Sequence, residues 1–419
     1  MYLIKICDRV ISWGFYALFF LVPLIFSSQT SELFEYNKMM LTYGLTIIIV
    51  SAWVIKMLAA KKFIYKHSFL EIPLLLYLGA HILSTVFSID PHISIWGYYS
   101  RFHEGLLASV SYIILYFAAV SNLNREHVKR ILYVSFASAI IVSIWGVLEH
   151  FGHSPSCLII TGNFGVDCWI QDVKNRVFAT LGQPNWMAAY LNVIILAILG
   201  FALSVKKKLY LFLIVGLFAA ALLFTKSRSG FAGLAAGLGV FILLIAPVSN
   251  KLKVLVCVAG LVIGLAVGVR WYQNLPVVTP GNITGSEAIR KPVWEGAVRV
   301  WERYPVFGSG VETFAYSFYK DRPASKNLDS EWDFLYNKAH NEYLNLLATT
   351  GTVGIIAYLI VIASVAKQSL SAHKNILISA LFSAWVTILV TNFFGFSVVI
   401  IGLYFFLIPA WAEILASQE

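Results

Sequence analysis

The chain has 419 residues, of which 59% are hydrophobic and only 12% carry a charge, and its formal net charge is +10. This composition excludes an ordinary soluble domain, in which about 25% of residues are charged, and it predicts an all-α polytopic membrane protein. The surplus of Lys and Arg does not indicate a nucleic-acid partner, because the cytoplasmic loops of membrane proteins carry the same surplus.

Apolar runs of membrane-spanning length recur along the whole chain, which we interpret as a single membrane domain over residues 1–419. A transmembrane helix needs about 17–25 mainly apolar residues. About twelve such runs are predicted: 10–27, 39–59, 68–87, 104–121, 129–149, 185–203, 208–225, 230–247, 254–270, 344–365, 375–392 and 397–415. The first run lacks a small-residue cleavage site, so we expect no cleavable signal peptide.

Basic residues are distributed unevenly between the two sides of these runs. One side carries Lys5, Arg9, Lys56, Lys61, Lys62, Lys66, Arg125, Lys129, Arg130, Lys206, Lys207, Lys208, Lys251, Lys253, Lys367 and Lys374. The short loops of the other side carry Lys38, Arg101, Lys226 and Arg228. The positive-inside rule therefore predicts that the first side and both termini are cytoplasmic. Two long extracytoplasmic loops then follow, over residues 150–184 and 271–343.

The first long loop contains two of the four cysteines, Cys157 and Cys168. An oxidising compartment would allow them to pair, and we predict a disulfide bond between them. The chain offers no Cys/His spacing of a zinc site, no phosphate-binding Gly-x-x-x-x-Gly-Lys loop and no Asp-x-Asp pair. We therefore expect neither a metal ion nor a cofactor.

The second long loop is rich in aromatic and basic residues. Pro292 is typical of a first helical turn, and Val293, Trp294, Ala297 and Trp301 follow at helical spacing. This pattern predicts an amphipathic helix, beginning near Pro292, that lies on the membrane surface with its aromatic residues at the headgroup level. Aromatic faces also suit sugar rings, and basic groups suit a lipid pyrophosphate.

Four motifs occur in a fixed order on the predicted outer side. They are Arg176 ahead of Gly182-Gln183-Pro184-Asn185; Ser227-Arg228-Ser229-Gly230; Arg290 with Trp294 and then Pro305-Val306-Phe307-Gly308-Ser309-Gly310; and His340-Asn341-Glu342-Tyr343-Leu344 followed by Gly351. In this order and topology, from about residue 170 to 370, the chain resembles the O-antigen ligase and polymerase superfamily of bacterial lipid-linked glycan transferases.

The resemblance implies a metal-independent, inverting glycosyltransferase. Its donor partner would be a glycan on undecaprenyl pyrophosphate, and its acceptor a glycan or glycolipid, first of all a lipid A core sugar in lipopolysaccharide biosynthesis. The protein would act as a monomer among the lipids of the bacterial cytoplasmic membrane, with its site facing the periplasm or the cell exterior. An O-antigen polymerase and a protein O-oligosaccharyltransferase are enzymatic alternatives. A lipid-linked glycan transporter is less favoured, because the basic residues lie in loops rather than within spans.

The resemblance also implies roles for individual residues. Arg176, Arg228 and Arg290 would bind the phosphates, since guanidinium groups stay charged and bind phosphate with two parallel hydrogen bonds. Asn185 and Asn341 would contact substrate through their amides. His340 would be the catalytic base that takes the proton of the acceptor hydroxyl. The structural alternatives are interfacial arginines, a helix cap at Asn185 and a structural histidine.

Overall fold

This computed structural model describes residues 2–204, 209–275, 286–371 and 375–417. Within these ranges all regular structure is helical. The α-helices are α1 Tyr2–Leu21, α2 Glu35–Ala60, α3 Glu71–Val86, α4 Pro91–Trp96, α5 Leu106–Asn122, α6 Arg125–His150, α7 Pro155–Thr161, α8 Pro184–Ser204, α9 Leu209–Thr225, α10 Arg228–Ile245, α11 Asn250–Gln273, α12 Ser286–Arg303, α13 Phe314–Asp321, α14 Glu342–Ser371, α15 Ile376–Phe393 and α16 Val399–Ala416. Two short 3-10 turns occupy Ala179–Leu181 and Ala324–Leu328.

The predicted class of an all-α polytopic membrane protein is confirmed. Among the described residues, seven helices are long and apolar enough to cross a membrane: Glu35–Ala60, Arg125–His150, Pro184–Ser204, Arg228–Ile245, Glu342–Leu370, Ile376–Phe393 and Val399–Ala416. Each of the twelve predicted runs overlaps a helix, but the count of twelve spans stays a prediction. The basic positions Lys206–Lys208 and Lys374, which contribute to the predicted orientation, lie outside the described residues.

Three helices, α8, α10 and α15, pack against one another and carry the first two motifs. Gly230, Gly233 and Gly237 line the contact face of α10, where a Cβ atom at Gly237 would lie 2.5 Å from the side chains of Leu196 and Thr387. Small residues of this kind let helix backbones approach closely within a membrane. The close packing fixes the outer ends of these helices relative to one another.

The first long loop contains α7, and a disulfide bond joins this helix to the segment that follows it. The predicted disulfide between Cys157 and Cys168 is present in the structure, with Cα atoms 5.5 Å apart. Cys157 itself is buried.

The second long loop contains α12 and α13, and here one detail of the prediction was wrong. Within the described residues the helix begins at Ser286, so that Pro292 lies inside it instead of in its first turn. Val293, Ala297 and Val300 on one face of α12 are buried in a cluster with Phe314 and Phe318 of α13. The position of α12 at a membrane surface stays a prediction.

Candidate functional site

The first motif joins the outer ends of α8 and α10. Asn185, in the first turn of α8, accepts a hydrogen bond of 2.7 Å from the hydroxyl of Ser227, and Ser227 in turn accepts one of 3.1 Å from the backbone N–H of Gly230. Ser227 is thus the N-cap of α10. Two helix N-termini, each with a partial positive charge, meet here, and such ends attract anions.

Arg176 is bound to the same junction. Its Nε donates to the carbonyl of Thr225 at 3.2 Å, and its NH2 group donates to Asn185 Oδ1 at 3.3 Å. Arg228 is the first residue of α10, and its side chain is exposed. The structure therefore brings Arg176, Arg228 and Asn185 to one place, as expected if they act together. Their roles toward a substrate stay predictions.

His340 lies across a cavity from this junction. We call it the His340 cavity; it holds about 420 Å³ of empty space, counting its opening, and its wall includes Gln183, Asn185, Trp186, Ser229 and His340. The ring of His340 is 5.4 Å from the ring of Phe396, in the α15–α16 connection, and 5.7 Å from that of Tyr336. Residues from three distant sequence motifs thus meet in one cavity.

Arg290 reaches the same region through the α15–α16 connection. Its NH2 group donates a hydrogen bond of 3.0 Å to the carbonyl of Phe394, and Phe394 is part of the wall of the His340 cavity. The contact holds the guanidinium at the edge of the cavity. The Arg290 residue is half-buried there.

Asn341 has a structural contact that the sequence pattern did not predict. Its Oδ1 accepts a hydrogen bond of 3.0 Å from the backbone N–H of Leu344, which caps the start of α14, and the residue is 2% exposed. Glu342, beside it, accepts a hydrogen bond of 3.3 Å from the backbone N–H of Ser397. The amide oxygen of Asn341 is thus used within the protein. A substrate contact for this residue stays a prediction.

The surroundings of His340 keep its ring neutral. Burial, together with the smaller effect of the positive charges of Arg290 and Arg101, lowers the pKa of His340 to about 4. A neutral imidazole has one nitrogen free to accept a proton. The geometry is therefore compatible with a base, although a weaker one than a histidine of ordinary pKa.

Arg101 is a candidate site residue that lies outside the four sequence motifs. Its guanidinium carbon lies 5.2 Å from the ring of Trp186 and 5.8 Å from that of Phe396, both of which line the His340 cavity. Its NH1 atom is buried and has no hydrogen-bond partner within the described part of the chain. Buried charged groups are normally paired with an opposite charge, so Arg101 is a candidate to bind an anion. The signal in the sequence is that Arg101 is a lone arginine in a short loop on the Lys-poor side.

A metal site has no support among the described residues, where no group of three His, Cys, Asp or Glu side chains could hold an ion. The cavity wall offers amides, hydroxyls, aromatic rings and the imidazole of His340. The guanidinium groups of Arg101, Arg176 and Arg290 contact residues of this wall. This set can bind an anion and accept a proton.

Comparison with known protein families finds a match in the part of the chain that follows α8. Residues 211–359 match the family model described as O-antigen ligase. The matched segment contains Arg228, Arg290 and His340, whereas Arg176 and Asn185 precede it. No curated protein matches the chain. This match supports the resemblance to the O-antigen ligase and polymerase superfamily over residues 211–359, in a chain whose helices are those of a multi-pass membrane protein.

Proposed function

We propose that this chain, which carries the segment typical of O-antigen ligases, moves a glycan from undecaprenyl pyrophosphate to a hydroxyl of a lipid A core sugar. The reaction takes place on the outer side of the bacterial cytoplasmic membrane. The observation that supports the proposal is the meeting of His340, Asn185 and two helix N-termini at one cavity, whose wall residues are contacted by Arg101, Arg176 and Arg290.

The donor's pyrophosphate is bound at the arginine-rich edge of the His340 cavity. Arg176, Arg228 and Arg290 supply guanidinium forks, and Arg101 supplies a fourth from above Phe396. Charge grows on the phosphate oxygen that leaves C1 of the sugar, and fixed positive groups stabilise that charge in the transition state. The N-termini of α8 and α10 add to the same positive field.

The acceptor hydroxyl attacks C1 of the donor sugar from the face opposite the phosphate. A new C1–O bond forms to the acceptor, the C1–O bond to the phosphate breaks, and the electron pair leaves with the undecaprenyl pyrophosphate. The acceptor's proton passes to the free ring nitrogen of His340. A single displacement of this kind inverts the anomeric centre.

The protein works as a monomer in this proposal, with its donor and its acceptor both held by lipid anchors in one membrane. Catalysis needs alignment and charge stabilisation, because a pyrophosphate is already a good leaving group. No metal or cofactor takes part in the steps described.

The acceptor class is decided by a transfer assay with purified protein. A labelled undecaprenyl-pyrophosphate glycan is incubated separately with lipid A core, with a second lipid-linked glycan and with a Ser/Thr-containing pilin-like protein. We expect label on lipid A core alone. Label on the second glycan would instead identify a polymerase, and label on the protein an oligosaccharyltransferase. Passage of the donor across liposome membranes without any transfer would contradict the proposal in favour of a transporter.

A further inference from the structure

A second cavity adjoins the His340 cavity. Of the residues in the four sequence motifs, Glu342 is the one that contributes to its wall. We call it the Glu312 cavity. Its wall includes Glu104, Glu312, Glu342, Tyr77, Tyr112 and Phe406. Asn392 and Val398 line both cavities, so the two spaces are separated by a single layer of side chains.

Lys338 holds the two outer carboxylates of this cavity. Its ammonium group donates to Glu104 Oε2 and to Glu312 Oε1, and its own side chain is fully buried. It also lies 6.0 Å from the ring of Phe396, whose ring faces Arg101 and His340 as well. The Phe396 ring therefore lies between the cluster of Lys338 with its two carboxylates and the proposed base His340.

Each of these carboxylates has a second oxygen that the protein leaves unused. Glu104 Oε1 and Glu312 Oε2 are buried and have no hydrogen-bond partner among the residues described, and the same is true of Nε2 of His81, which lines the same cavity. The Glu312 side chain is only 2% exposed. Buried polar atoms are normally paired, so these oxygens indicate a ligand that brings hydrogen-bond donors.

The chemistry of the wall narrows the class of ligand. Lys338 already occupies the place of a cation between the two carboxylates, and carboxylate oxygens accept hydrogen bonds from hydroxyl groups. Aromatic rings, among them Tyr77, Tyr112 and Phe406, form another part of the wall, beside hydroxyl, amide and aliphatic side chains. Carboxylates beside aromatic faces suit a sugar, whose hydroxyls are donors and whose ring carbons present apolar C–H groups.

We propose that the Glu312 cavity is the acceptor subsite, in which Glu312 and Glu104 accept hydrogen bonds from hydroxyls of the acceptor sugar and direct its nucleophilic hydroxyl past Phe396 toward His340. The inference rests on the proposed glycan transfer. It assigns these carboxylates to substrate positioning and leaves proton removal to His340.

Steady-state transfer kinetics with lipid A core as the acceptor test this assignment. Glu312→Gln keeps the shape of the side chain but weakens its hydrogen bonds to hydroxyls, so we expect the acceptor KM to rise at least tenfold while the donor KM stays within twofold of wild type. Glu104→Gln should act in the same direction. Glu302→Gln, at an exposed position of α12, is the matched control and should change neither constant. An acceptor KM within twofold of wild type in both cavity variants would overturn the subsite.

A labelling experiment on the wild-type protein tests the same subsite without depending on the folding of a variant or on turnover. Burial raises the pKa of Glu312 to about 7, so a fraction of this carboxyl is protonated at neutral pH and reacts with a hydrophobic carbodiimide. Lipid A core should slow the labelling of Glu312 at least fivefold, and undecaprenyl pyrophosphate should not. Equal labelling rates with and without lipid A core would overturn the inference. Protection without any transfer would instead separate acceptor binding from a failure of the proposed reaction.

Discussion

Asn185 Oδ1 lies 2.7 Å from the hydroxyl of Ser227, and this hydrogen bond joins the first turn of α8 to the N-cap of α10. Arg176 donates to the same Asn185 oxygen at 3.3 Å. The orientation of the arginine therefore depends on the junction of two helices that are themselves closely packed. In the proposed reaction this junction is the part of the site that binds the pyrophosphate.

Replacing Arg176 or Arg228 by Lys keeps the positive charge but removes the planar fork. We expect kcat/KM for the donor to fall about tenfold or more, because a charge-assisted hydrogen bond contributes about 1.5–3 kcal/mol. Arg299→Lys, on the exposed face of α12, is the control and should be neutral. The assay is run with and without EDTA. Unchanged rates in both variants would show that these guanidiniums do not bind the donor, and a loss in EDTA that magnesium restores would rule out a metal-free mechanism.

The dependence of transfer on pH should reveal the lowered pKa of His340. A base must be unprotonated to act, so activity falls as the pH falls through its pKa. We expect kcat/KM to lose half its value near pH 4, the pKa of the ring in the free protein, and not near the ordinary value of about 6.5. In the donor complex the negative pyrophosphate opposes the arginines, so the acid limb of kcat should lie at higher pH. An acid limb of kcat/KM near pH 6.5 would show that the histidine is not desolvated.

Arg101 acts on both donor binding and the base in this account. Arg101→Gln removes one positive charge beside the cavity, so the donor KM should rise about tenfold or more, the scale of one charge-assisted hydrogen bond. The same change should move the acid limb of kcat/KM toward neutral pH, since Arg101 is one of the charges that lower the pKa of His340. A purely structural arginine would not shift that limb. Rescue of the profile by Arg101→Lys would support the charge as the cause.

The orientation in the membrane is tested by cysteine labelling of intact cells. Ser325 is exposed in the second long loop, and a Ser325→Cys variant should react with a membrane-impermeant maleimide before lysis, because the loop is predicted to be extracytoplasmic. Lys61→Cys, on the predicted cytoplasmic side, is the control and should react only after lysis. The opposite pattern would place the His340 cavity on the wrong side for the proposed donor.

Local sequence signals predicted the helices well, and the site in part. The long apolar runs gave the positions of the helices because membrane spans are set by length and hydropathy alone. Arg176, Asn185 and His340 could be selected as candidate site residues because each belongs to a short sequence motif. Arg101 and Phe396 were not, since they reach the cavity through loops that precede α5 and α16, and nothing in the local sequence indicates that these loops meet.

The start of α12 was misplaced for a related reason. Pro292 favours a first helical turn, but Ala288 and Ile289 before it are buried within the protein, and that packing supports helix on both sides of the proline. The ion-paired groups of Glu104, Glu312 and Lys338 were likewise beyond prediction, because Glu104 and Lys338 are 234 positions apart in the chain. Tertiary contacts of this kind leave no periodic pattern in the sequence.

The most direct test of the central claim is the transfer rate of His340→Ala under saturating donor and acceptor. The account predicts a rate about 10²–10⁴-fold below wild type, the scale expected for loss of a positioned base, with equal protein in the membrane and a donor affinity within twofold of wild type. The side chain is half-buried and contributes little to the apolar core, so the variant should fold. Transfer within twofold of the wild-type rate would contradict a catalytic role for His340.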